Sequence, residues 1–124
     1  RTGNFDEIKA FVRSIFVDGF IKSEDAEVDV LNGTDTTGIA TTQANELEEF
    51  GYRIGAIANS PKNNNLVTYV YDISGKAPFT LRYLEQRYNT DAKAEIDLPE
   101  GITTDADIVI IVGADVIPVD DEEN

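Results

Sequence analysis

The residues of this chain with the greatest chemical reach are mostly uncharged. Asn32-Gly33-Thr34, followed by Thr37-Gly38, puts backbone amides, hydroxyls and a carboxamide into one short stretch. Tyr69 and Tyr71 stand two apart, downstream of Asn59 and the run Asn63-Asn64-Asn65. A strand that stops on Asn-Gly-Thr before a helix exposes unpaired N–H groups at a helix N-terminus, where α/β proteins often hold ligands. The plainer alternative makes Asn32-Gly33 a turn and Thr36 or Thr37 a helix cap. Tyrosine rings stack on sugars, and asparagine carboxamides hydrogen-bond sugar hydroxyls. Tyr69 and Tyr71 would share one face of a strand, with the Asn loop at its end. The competing reading buries both rings in the core with their hydroxyls at the rim.

Other chemistries are closed off by composition. The chain has neither histidine nor cysteine, so it lacks the commonest general base, a thiolate nucleophile, a disulfide framework and the usual soft-metal ligands. Its 24 acidic residues guarantee close carboxylate pairs by number alone, so such a pair is no sign of a glycosidase. Asp105 with Asp107, or Asp120 to Glu123, could hold Ca²⁺ weakly, but neither matches an EF-hand loop and solvated carboxylates are the expectation. No dinucleotide-binding glycine pattern and no P-loop is present. Asn32-Gly33-Thr34 also fits the N-glycosylation pattern, at a turn against the core where it would go unused. The sequence therefore calls for no catalytic residue, no metal and no cofactor. The formal charge of −14 repels nucleic acid, and repels anionic polymer unless Lys62, Lys76, Arg82 and Arg87 gather on one face.

The elements that must position these residues are legible in the hydropathy pattern. Phe5, Ile8, Val12, Ile15 and Phe16 recur at helical spacing after Asn4, predicting an amphipathic helix. Lys22 to Asp25 is a polar break. A first strand over 27–31 precedes a helix over 37–50 that ends on Gly51 at C′. A second strand over 52–58 leads into the exposed Asn-rich loop 59–65, and a third over 66–73 alternates Val67, Tyr69, Tyr71 and Ile73 with Thr68, Val70 and Asp72. A second helix starts near Pro78 and carries Leu81, Leu84 and Tyr88 along one side. Strand four is expected over 92–98, Pro99-Glu100-Gly101 is a turn, and 107–112 is a central apolar strand.

The fold class expected is α/β of the α+β kind. It is a single mixed β-sheet of about five strands in β-α-β-β-α-β-β order, with helices mainly on one face, plus the N-terminal amphipathic helix. Right-handed crossovers make strands one and two parallel, and strands three and four parallel, while two and three can run antiparallel as in a split βαβ unit. The chain divides into a connecting helix and linker (1–25), a domain (26–117) and a disordered acidic tail (118–124). With Arg1 first and no methionine, it reads as a domain excised from a longer protein.

The order Val30-Leu31-Asn32-Gly33-Thr34, then Thr36-Thr37-Gly38-Ile39-Ala40, a helix ending Leu47-Glu48-Glu49-Phe50-Gly51-Tyr52, and a closing Ala106 to Asp115 resembles the C-terminal accessory domain of the LytR-CpsA-Psr family of bacterial cell-envelope proteins. The likeness covers roughly residues 26 to 116, and residues 4–20 are similar to the helix that leads into that domain. In that family a separate catalytic domain transfers glycopolymer from a polyprenyl-phosphate carrier to peptidoglycan; its arginine and aspartate motifs have no counterpart here. The resemblance implies a non-catalytic, extracytoplasmic accessory module of a teichoic-acid-type transferase. Such a module would bind cell-wall glycan, peptidoglycan or a protein partner, with an upstream catalytic domain beside it and the membrane reached only through an upstream anchor. Candidate binding residues are Asn32, Gly33, Thr34, Thr37, Gly38, Asn63, Asn64, Tyr69 and Tyr71. The alternative is a structural role, with residues 5–20 forming a homodimer surface. A transcriptional attenuator is the third reading, and the charge speaks against it.

Overall fold

The computed structural model of the protein describes residues 21–117. The helix and dimer surface expected within residues 5–20, and the acidic tail at 118–124, lie outside the described residues. Five strands form one sheet: β1 (Glu27–Asn32), β2 (Arg53–Asn59), β3 (Tyr69–Asp72), β4 (Lys93–Ala94) and β5 (Ile108–Val112), in the spatial order β2-β1-β5-β3-β4. Helix α1 (Ile39–Glu49) links β1 to β2, and α2 (Pro78–Tyr88) links β3 to β4. Both linked pairs are parallel, β5 is parallel to β1, and β3 runs antiparallel to β5. Strands two and three thus run in opposite directions as expected, but β1 and β5 separate them. The last strand joins the two β-α-β units.

Burial explains the order. β5 is apolar throughout and fully buried, the signature of a central strand covered on both faces, and β1 beside it is buried from Val28 to Asn32. Val28, Val30, Ile108, Ile110, Val112 and Val70 point to one face, where α1 brings Ala40, Ala44 and Leu47 and α2 brings Leu84. Leu31, Tyr71, Val109 and Ile111 form the other face, beneath Leu98 and Ile102. Strand four is shorter than expected for this reason. After Ala94 the chain turns through a 3₁₀ helix (Glu95–Asp97) and crosses that second face. Strand three also pairs only from Tyr69, because the Thr68 N–H and hydroxyl are taken by the Asp115 carboxylate.

The ends of the helices are fixed locally. α1 closes in a Schellman motif: the Gly51 N–H donates to the Glu48 carbonyl at 3.0 Å and the Tyr52 N–H to the Leu47 carbonyl at 3.1 Å, with Gly51 at φ 101. Its start departs from expectation. The N-cap is Gly38 in left-handed geometry, with no side-chain cap, so neither Thr36 nor Thr37 caps the helix. The Thr36 N–H is already taken by Thr34 Oγ1 and its carbonyl by Asn32 Nδ2. α2 begins with Pro78 in its first turn, and its donors are satisfied from outside: Glu24 accepts from the Phe79 N–H (2.9 Å), the Thr80 N–H (2.6 Å) and Thr80 Oγ1 (2.6 Å). The polar break expected at 22–25 is thus a helical turn over 21–24, anchored by buried Ile21 and by this carboxylate.

Two buried or half-buried aspartates order the sheet. The β1–β2 register slips between Val28 and Val30, leaving Gly55 and Ala56 opposite Asp29; the Asp29 carboxylate accepts the Ala56 N–H at 2.8 Å and the Thr104 hydroxyl. Asp107 exchanges backbone contact with Glu27 and also accepts the Glu27 N–H on its carboxylate at 2.9 Å, with Lys76 Nζ at 3.7 Å. The Glu27 N–H, then Ser74 and Lys76, hold its carboxyl below the ordinary 3.8 against the opposing effect of partial burial. A depressed folded value stabilises the protein above the ordinary value, and that stabilisation is lost as pH falls through the folded one. Asp107→Asn is expected to cost about 1 kcal/mol at pH 7 and much less at pH 3, read by urea unfolding at both. An equal cost at both would show that the charge is not its source.

Candidate functional site

At the carboxyl ends of β1 and β2 lies a cleft of about 480 Å³. Of the residues picked from the sequence, Asn32, Thr34, Thr37, Gly38 and Asn63 line it. The loop after β2 adds Asn59, Ser60 and Pro61, and the loop after β1 adds Asp35 and Thr36. The parallel β1–β2 pairing brings these two loops together: the Ser60 N–H donates to the Asn32 carbonyl at 2.9 Å. The signal missed in the sequence was topological. Once strands one and two are parallel neighbours, both of their following loops must share one end.

The lining residues are not equivalent. The Asn32 Oδ1 accepts the Thr34 N–H at 2.8 Å and Thr34 Oγ1 at 2.7 Å, and the Asn32 Nδ2 donates to the Thr36 carbonyl at 2.8 Å. Thr34 Oγ1 in turn accepts the Thr36 N–H at 3.1 Å. Both side chains are buried, and their polar atoms build the loop. Thr36, Thr37, Asn59 and Asn63 are exposed on the rim, as is the Asp35 carboxylate. Gly33 sits behind the cleft. Its N–H donates to the Val112 carbonyl and its carbonyl accepts the Asn65 N–H, both at 2.9 Å. A Cβ there would come within 2.8 Å of Asn65 Nδ2 and Ile111 Cγ2, so only glycine fits. Asn64 is exposed outside the lining.

Tyr69 and Tyr71 belong to a different place. Their ring centroids are 6.4 Å apart on the face opposite the helices. Tyr71 is 4% exposed, and burial, then the neighbouring Tyr69 and Asp97, push its hydroxyl above the ordinary 10.0. Tyr69 is half-buried with Lys93 Nζ 5.6 Å from its ring centroid. The two rings share a face as alternation requires, but they pack in the second core and do not meet the cleft.

The motifs that carried the resemblance prove to be joined. The Asn65 N–H reaches Gly33, and the Asn65 carbonyl accepts the Ala114 N–H at 3.0 Å. Gly113 donates to Thr68 Oγ1 at 3.0 Å while Thr68 Oγ1 donates to Asp115 at 2.8 Å. Asn-Gly-Thr and Val-Gly-Ala-Asp are two sides of one junction. Among the described residues no three carboxylates gather to hold a metal, and no helix is long and apolar enough to cross a membrane.

No curated protein matches the chain. The solution structure of the C-terminal domain of RV0431 is similar to it, at 19% identity and a TM-score of 0.46 over 71% of each chain. A family model described as LytR cell envelope-related transcriptional attenuator matches residues 25–115, most of the chain and nearly all of the sheet and helices above. The chain belongs to this LytR C-terminal family and is an accessory domain of the cell envelope.

Proposed function

We propose that this domain is a non-catalytic, extracytoplasmic module that holds cell-wall glycan for a glycopolymer transferase. The observation that carries the reading is the cleft at the ends of β1 and β2. Its free groups are the hydroxyls of Thr36 and Thr37 and the carboxamides of Asn59 and Asn63, which suit a neutral, hydroxyl-rich ligand. Charge supports a neutral ligand as well. Among the described residues Asp35 is the only charged side chain on the lining, and the chain carries −14. Arg53, Lys76 and Arg87 face Asp25, Asp107 and Glu46, which speaks against the DNA contact that an attenuator would need.

Titration of the isotope-labelled chain with soluble peptidoglycan fragments tests this. The amides of residues 36–38 and 59–63 are expected to shift at millimolar ligand, with those of Tyr69 and Tyr71 unmoved. Silence throughout, or shifts confined to β3, would end the reading.

A further inference from the structure

The fold leaves one group in this cleft unexplained. Ser60 is 8% exposed, its N–H is used by Asn32, and its Oγ is buried with no hydrogen-bond partner. No other buried side-chain nitrogen or oxygen of the described residues is in that state. Proteins seldom keep a buried hydroxyl unsatisfied, because its lost hydration is not recovered. Ser60 lines the same cleft as Gly38, where α1 starts with no side-chain cap, so an unpartnered hydroxyl and the end of a helix whose first amides lack intrahelical acceptors border one cavity. Both ask for an acceptor on the ligand.

The kind of acceptor follows from Asp35. Its exposed carboxylate on the rim repels phosphate or carboxylate, and it accepts from an N–H. A secondary amide supplies both halves in one neutral group. We infer that the cleft takes the acetamido group of an N-acetylated sugar, its carbonyl accepting from Ser60 Oγ and the α1 amides and its N–H turned toward Asp35. Thr36, Thr37, Asn59 and Asn63 then remain for the sugar hydroxyls. A volume of about 480 Å³ suits a ligand of one or two rings. This assignment rests on the glycan reading above and narrows it to one substituent.

The test uses the whole chain, wild type and Ser60→Ala, titrated with three probes. N,N′-diacetylchitobiose carries sugar and acetamide, cellobiose carries the same linkage without acetamide, and N-acetylalanine methylamide carries the amide without sugar. The first is expected to shift amides of residues 36–41 and 60, and cellobiose to bind at least about tenfold more weakly. Ser60→Ala should lose roughly five- to tenfold in affinity while melting no lower than wild type, since the lost hydroxyl had no partner in the free protein. Equal binding of the two disaccharides would overturn the acetamido assignment and leave the glycan reading standing. Tighter binding of the peptide amide would move the site to a peptide and overturn both. No shift with any probe at 20 mM would do the same, and unchanged affinity in Ser60→Ala with its fold intact would remove Ser60 from the site.

Discussion

Gly113→Ala is expected to cost at least about 3 kcal/mol and lower the melting midpoint by roughly 10–20 °C. Gly113 leaves β5 in extended geometry, so backbone strain is not the cause. The cause is a crossing: a Cβ at this position would fall inside the Val67 carbonyl group, and backbone cannot swing aside as a side chain can. Any retreat of Val67 pulls on Thr68, which is 1% exposed and bound to Asp115 twice, and on the Gly113 N–H that Thr68 Oγ1 accepts. Overpacking and the loss of buried hydrogen bonds therefore arrive together. Gly75→Ala is the comparison. That site has open space but φ +73, so it isolates conformational strain, at about 1 kcal/mol. A smaller loss at 113 than at 75, in urea titrations of the two variants, would mean the crossing is loose.

The second large effect is expected at Glu24. Removing its carboxylate by Glu24→Ala strips α2 of two N-terminal amide partners and leaves Thr80 Oγ1, on a residue 1% exposed, without its acceptor. The cap, the helix dipole and the orphaned hydroxyl together should cost about 2–4 kcal/mol. Glu24→Gln keeps an acceptor and should lose about half of that. A double-mutant cycle with Thr80→Val gives the pair's own share, and a coupling below about 0.5 kcal/mol would show that the two act independently. Hydrogen exchange should quicken at Phe79 and Thr80 ahead of the rest of α2.

Much of this architecture was legible because it is local. Gly51 announced the close of α1, Pro78 the start of α2, and the unbroken apolar run at 108–112 a central strand. Tyr69 and Tyr71 fell on one face because alternation leaves no choice. What stayed hidden depends on contacts distant in sequence. Nothing around Pro78 reveals that Glu24 caps it, and nothing in 92–98 reveals that the strand must stop so that Leu98 and Ile102 can cover Tyr71 and Val109. The cleft was half visible. Asn32, Thr37, Gly38 and Asn63 stand out in the sequence as turn and loop residues, whereas Ser60 carries no local signal and gains its place only from the side-by-side pairing of β1 and β2. Asn32 and Thr34 show the converse, since the types that suit a ligand also suit an Asx turn, and here the turn uses them.

The slip in the β1–β2 register has a consequence for the life of this sheet among many copies of itself. β2 is an edge strand, and a long regular edge invites a foreign strand to add on. Here the row of donors is broken midway, because the Ala56 N–H is drawn inward to Asp29. The bend cannot be smoothed by substitution either, since a Cβ on Gly55 would collide with the carboxylates of Glu27 and Asp29. At the far side β4 offers only Lys93 and Ala94 before the chain turns away. Neither margin gives a template of useful length, so the sheet stops at five strands and is guarded against fibrous growth.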